Sequence, residues 1–233
     1  MDLTRATALV TGANRGLGRA LAVALIDRGA SVYAGARDPD RVDVAGAKPL
    51  RLDLTDPTSV EEAAAAARDV TLLVNNAGSA TREDLLTGDL ASIRLDMETH
   101  FFGTLAVTRA FAPLIEGNGG GTVLNILSVL SWITLPRVGA YSAAKSAEWS
   151  LTNALRLQLA PRGIRVAGLH VGYMDTDMAR GVTGPKADPH DVARAALDAL
   201  AADADELVVD EISKDTLARL SGGVAALYPQ LTA

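Results

Sequence analysis

Tyr141, Ser142, Ala143, Ala144 and Lys145 lie near the start of a long stretch with helical character in a chain of 233 residues. On a helix, the i, i+4 spacing stacks the phenol of Tyr141 and the ammonium of Lys145 on one face, about one turn apart. A cation so placed favours the phenolate and draws the tyrosine pKa down from its ordinary value of about 10. That is the direction in which a phenol can exchange a proton with an alcohol or a ketone. A helix-surface pair has the same spacing, so the two residues need company before they count as chemistry.

A second group of residues supplies it. Thr11-Gly12-Ala13-Asn14-Arg15-Gly16-Leu17-Gly18 joins a short apolar run to a helical pattern. Glycines there permit a tight turn, let backbone approach a pyrophosphate and bring helix close to sheet. The helix amino terminus offers free N–H groups and the positive end of its dipole to phosphates. No Gly-Lys-Ser/Thr follows, so this is not the phosphate loop of an ATPase. The end of the second apolar run decides between dinucleotides: a carboxylate there would accept from a ribose hydroxyl and repel a 2′-phosphate. The chain has Ala36 and then Arg37, with Arg15 in the glycine turn. Two converging guanidiniums favour a phosphate through charge-assisted hydrogen bonds, which points to NADP(H). As ordinary surface charges they would carry no such meaning, and Asp38 next door pulls the other way.

The elements that must position these residues alternate along the chain. Apolar runs at 7–10, 31–36, 48–52, 70–74, 122–127, 164–169 and 207–209 read as strands, and 16–28, 57–68, 89–115, 139–160 and 188–201 as helices. Strands that are apolar throughout fit a sheet covered on both faces, and their alternation with helices makes βαβ units. The fold class expected is α/β: one doubly wound Rossmann-type domain over residues 1–233, with a mostly parallel seven-stranded sheet and helices on both faces. A hydrophobic fraction of 48% and a charged fraction of 21% argue against disorder. The net charge of −6 argues against a nucleic-acid partner, which would need clustered Lys and Arg. No apolar run approaches the roughly 18 residues of a membrane span, and no secretory leader is evident. The absence of cysteine fits a reducing compartment, so a cytoplasmic protein without a membrane partner is expected.

Taken together, the Thr11–Gly18 turn, Asn75-Asn76-Ala77-Gly78 after the fourth strand, Ser128, Tyr141 and Lys145 resemble the classical short-chain dehydrogenases/reductases. The likeness runs in register from about residue 5 to 178, with a looser tail. It implies Tyr141 as general acid in reduction and base in oxidation, and Lys145 as the residue that holds the nicotinamide ribose and tunes Tyr141. Ser128 would hydrogen-bond the substrate carbonyl. The cofactor set it implies is Gly12, Asn14, Arg15, Gly16, Leu17, Gly18, Arg37, Asp53, Leu54, Asn75, Ala77, Gly78, Tyr141, Lys145, Gly172 and Thr176. Two positions depart from the family pattern. His100 stands where an asparagine usually helps to relay protons through a helix bulge; histidine can also donate and accept, or it can simply fill space. Val171 replaces the proline before Gly172, which frees a backbone angle and keeps the glycine.

Leu130, Ser131, Trp132, Ile133 and Leu135, with Tyr173, Met174, Met178 and Val182, are candidates for a largely apolar substrate wall, although each suits a core equally. Of these, Leu130, Trp132, Tyr173 and Met178 are the substrate-pocket residues expected, for a small-molecule ketone, aldehyde or alcohol. The irregular stretch 176–190 would be a lid over them. His170 and His190 read as a core residue and a surface residue, and three isolated histidines give no metal site. The resemblance also implies a homodimer or homotetramer built on the helices at 89–115 and 139–160. Two other functions keep the same fold: a nucleotide-binding sensor or scaffold without turnover, and a lyase or epimerase without net redox change.

Overall fold

The central apolar runs become strands because their side chains alternate between two buried layers, whereas the edge strand Lys48–Arg51 is largely exposed. In β1 (Thr7–Thr11), Ala8 and Val10 join one core with Leu21, Leu25 and Leu197, while Leu9 joins the other with Leu73, Val123 and Phe111. The other strands are β2 (Ser31–Ala36), β3 (Lys48–Arg51), β4 (Leu72–Asn75), β5 (Gly121–Ile126), β6 (Ile164–His170) and β7 (Glu206–Val208). The computed structural model, which describes residues 1–231, pairs all seven in parallel in the order β3-β2-β1-β4-β5-β6-β7. Helices α1 (Gly16–Asp27) and, later in the chain, Pro189–Ala201 cover one face. The opposite face is covered by α2 (Pro57–Ala66) and by the helices Thr104–Gly117 and Gly139–Leu159. This is the doubly wound α/β arrangement expected. The expected domain ends at residue 233, and its last two residues lie outside the described ones. Among the described residues no helix is long and apolar enough to cross a membrane.

The strand order reverses at β1, from which the chain winds outward to β2 and β3 and then returns to β4 on the other side. Such a switch point opens a crevice at the carboxyl ends of the strands. The expected single helix at 89–115 is in fact three pieces. They are α3 (Leu90–Met97), a π-helical turn (Glu98–Gly103) and α4 (Thr104–Gly117). The wide turn carries His100 and interrupts a hydrophobic period that would otherwise run through. After it come α5 (Gly139–Leu159), α6 (Pro189–Ala201), α7 (Glu211–Arg219) and α8 (Gly223–Leu227). The last two were not expected. Ile212 and Leu217 of α7 are both exposed, so the segment has little apolar stripe; its start is fixed instead by Asp210 accepting from the Ser213 N–H at 2.8 Å.

Candidate active site

Thr11, at the end of β1, ties the glycine turn to the turn after β4. Its hydroxyl accepts from the backbone N–H groups of Asn76 and Ala77, each at 2.9 Å, and the Asn76 amide donates to the Thr11 carbonyl at 2.8 Å. The turn itself has room for nothing larger than glycine at two points. Gly12 has φ +66°, and a Cβ on Gly18 would lie 2.3 Å from the Gly12 carbonyl oxygen. Helix α1 then begins at Gly16, with Arg15 in extended backbone at its cap and no side chain bonded over its first turn. The N–H groups of that turn are therefore donors at the positive end of a helix, facing the crevice.

The crevice is a cleft of about 930 Å³. Its walls contain Gly12, Asn14, Arg15, Gly16, Leu17, Gly18, Arg37, Asp53, Leu54, Ala77, Gly78, His100, Ser128, Leu130, Tyr141, Lys145, Gly172, Tyr173, Thr176 and Met178, all singled out from the sequence. Ser131 and Val182, candidates for the substrate wall, do not line it, and two of the expected site residues are elsewhere. Asn75, the last residue of β4, is buried away from the cleft, donating to the Asn125 side chain at 2.8 Å and to the Thr108 hydroxyl at 3.1 Å; its neighbour Asn76 faces the cleft, because successive residues of extended chain point to opposite sides. Trp132 is turned away, stacked on His170 with ring centroids 3.8 Å apart. The wall also holds residues the sequence did not flag, among them Arg41, Arg82 and Ile212. Asp38 caps the short turn that follows, accepting from the Asp40 N–H at 3.2 Å. Asp38 itself lines this end of the cleft, between Arg37 and the second basic residue, Arg41. Arg15 pairs with Asp177 at 3.1 Å and Arg82 donates to the Met178 carbonyl, so the 176–190 stretch is tied to the walls on both sides.

Ser128 follows β5 and caps a short turn, its Oγ accepting from the Leu130 N–H at 3.1 Å. The hydroxyl proton is thereby left to donate outward. His170 supports this turn from below, with Nδ1 3.2 Å from the Ser128 carbonyl and Nε2 2.6 Å from Glu206. Tyr141 and Lys145 share one face of α5, with the ammonium 5.9 Å from the phenol ring centre. Burial pushes the Tyr141 phenol above its ordinary pKa; Lys145 and Ser128 draw it down, and Glu148 and Asp96 push it up. The expected effect of Lys145 is thus present, but desolvation outweighs it and the net direction is upward. Lys145 is itself held charged: burial opposes the charge, Glu148 favours it, and its pKa is raised. His100 is almost wholly buried, with Nε2 2.7 Å from the Ser79 carbonyl and its ring edge-on to Tyr141 at 5.2 Å.

Residues 6–186 match the family model described as short chain dehydrogenase. The chain belongs to the short-chain dehydrogenase family. It is 34% identical over 178 residues to an NADPH-dependent 1-acyldihydroxyacetone phosphate reductase of Schizosaccharomyces pombe, covering 72% of this chain and 60% of that protein. It is also 34% identical over 189 residues to carbonyl reductase (NADPH) 2 of Sus scrofa, covering 78% of each. The chain thus spans about three fifths of the length of the first curated relatives it matches, at 60%, 62% and 63%. Among solved structures, a short-chain dehydrogenase from Burkholderia cenocepacia in complex with NADP superposes with a TM-score of 0.94 at 37% identity, over 100% of both chains.

Proposed function

We propose that the protein is an NADP(H)-dependent oxidoreductase that interconverts a moderately apolar ketone or aldehyde and its alcohol, with Tyr141 as acid and base. The observation that carries this reading is the convergence of Ser128, Tyr141 and Lys145 on one cleft whose other end is a glycine cradle. The residues present fit a dinucleotide. The absence of a side chain at Gly18 lets α1 close onto the Gly12 turn, the first turn of α1 has unbonded donors for the diphosphate, and Arg37 and Arg41 line the cleft beside Asp38 and offer guanidiniums to a 2′-phosphate. Relatives and a structural neighbour whose names include NADPH or NADP support the same cofactor.

When bound, the nicotinamide supplies or accepts the hydride. In reduction, the chain's part is to bind and protonate the carbonyl. Ser128 donates to its oxygen, Tyr141 donates a second hydrogen bond and then the proton, and negative charge developing on that oxygen is met by both. The Lys145 ammonium beside Tyr141 stabilises the phenolate left behind. Leu130, Ile133, Val138, Tyr173, Met178 and Ile212 give the mouth an apolar lining that excludes water from an uncharged substrate. NADPH consumption should be followed against ketones, aldehydes and quinones, with NADH alongside. Consumption that prefers NADPH and needs Tyr141 supports this function; tight NADPH binding without consumption for any carbonyl would favour a sensor.

A further inference from the structure

Glu148 lies one turn beyond Lys145 on α5, 2% exposed, and is outside the cleft lining. Its Oε2 receives the Lys145 ammonium at 2.6 Å and stands 3.6 Å from His100 Nδ1. Its Oε1 accepts the Thr104 hydroxyl at 3.1 Å. The Lys145 ammonium has a second bond, to the Ile126 carbonyl at 2.6 Å. His100 Nδ1 is buried and has no hydrogen-bond partner, although it is turned toward the carboxylate. A buried ion pair is poor value as a stabiliser, because apolar residues of similar volume often do as well or better. Here a carboxylate and two basic side chains from different elements converge behind the proton donor, and the π-helical turn brings one of them there.

We propose that Glu148 is a positioning residue that holds the Lys145 ammonium against Tyr141 and couples His100 to that pair through its shared Oε2. The proposal rests on the acid/base role of Tyr141. It explains why a histidine is accommodated at position 100: its Nδ1 faces a carboxylate rather than an apolar wall. The charged and titratable groups around the cluster are Lys145 and Tyr141 on α5, His100 on the π-helical turn and Asp96 on α3. Asp96 is held separately by the Ser79 hydroxyl at 2.9 Å and the Thr81 hydroxyl at 2.8 Å.

Burial opposes the Lys145 charge and Glu148 sustains it, and the ammonium acts on Tyr141 more strongly than Glu148 does itself. Neutralising Glu148 therefore withdraws the cation from Tyr141, and the phenol keeps its proton to higher pH. The tests are Glu148→Gln, which removes the charge at constant size, and Glu148→Asp, which keeps it. Tyrosinate formation should be followed by ultraviolet difference titration of the unliganded protein, with Tyr141→Phe identifying the Tyr141 contribution. The Tyr141 midpoint should rise in Glu148→Gln and return toward the wild-type value in Glu148→Asp. In turnover, the alkaline limb of the reductive kcat profile should move to higher pH in Glu148→Gln. An unchanged or lowered midpoint in a folded Glu148→Gln protein, as a carboxylate acting on Tyr141 directly would give, overturns the proposal, as does a Glu148→Asp protein that behaves like Glu148→Gln. Failure of the function itself looks different: the wild type then consumes no NADPH with any carbonyl, while the titration shift persists.

Discussion

The floor of the cleft and its mouth are built from different materials. The floor is backbone and short or enclosed side chains: the Gly12–Gly18 turn, Ser128 on its capped turn, and Lys145 locked between Ile126 and Glu148. The mouth is formed by long loops and by partly exposed apolar residues, with Leu95, Leu135, Tyr173, Met178 and Ile212 each 36–48% exposed. Its charged fastenings, Arg15 and Arg180 on Asp177, are exposed pairs of a kind usually worth little. A reacting atom must be placed within a fraction of an ångström, which strand ends and helix turns achieve. A substrate body needs only shape and apolar contact, which loops can change without disturbing the floor.

Substitutions at the two places should therefore differ in kind. The largest effect is expected at Tyr141→Phe: kcat for reduction should fall about 1000-fold with NADPH affinity unchanged, as read by steady-state kinetics and fluorescence titration. A surviving rate would remove the acid/base assignment. Gly18→Ala comes next, since its Cβ would meet the Gly12 carbonyl oxygen at 2.3 Å. Overpacking there should cost about 1–3 kcal/mol of folding stability, read by denaturant unfolding, and weaken NADPH binding by shifting the turn. A protein as stable as the wild type that binds NADPH equally well would mean that the turn does not pack this closely on α1. Arg37→Ala should weaken NADPH by about tenfold and leave NADH unaffected. Equal losses for both would refute the 2′-phosphate role.

The smallest change is expected at the mouth. Leu135→Ala should raise KM for an apolar ketone about fivefold, through roughly 1 kcal/mol of lost contact, with kcat unchanged. If it lowered kcat as strongly as a floor substitution does, the division between floor and mouth would collapse.

The floor was also the more legible of the two in the sequence. The glycine turn, Ser128 and the Tyr141–Lys145 pair depend on short-range spacing and on position after an apolar run, and the structure puts all of them in the cleft. What escaped was direction and distant partnership. Asn75 and Asn76 are adjacent, and spacing alone does not say which faces the cofactor side of β4. Trp132 follows Ser128 closely, but the short turn at Val129–Ser131 carries it onto His170. Arg82 and Ile212 reach the cleft from loops and helices far along the chain, leaving no local pattern. Glu148 did carry a signal, since it shares the i, i+3 and i, i+7 face of α5 with Leu151 and Leu155, both buried. A carboxylate in that stripe asks for a buried partner, and Lys145 is three residues away.

The most direct test of the central claim is isotopic. NADPH carrying deuterium at both positions of the nicotinamide C4 should be incubated with the wild-type protein and a ketone that it consumes, and the alcohol product analysed by mass spectrometry and NMR. Direct hydride transfer at the floor predicts a single deuterium on the carbinol carbon, and no such product from Tyr141→Phe on the same timescale. Alcohol formed without deuterium at that carbon, or formed equally by Tyr141→Phe, would contradict the account.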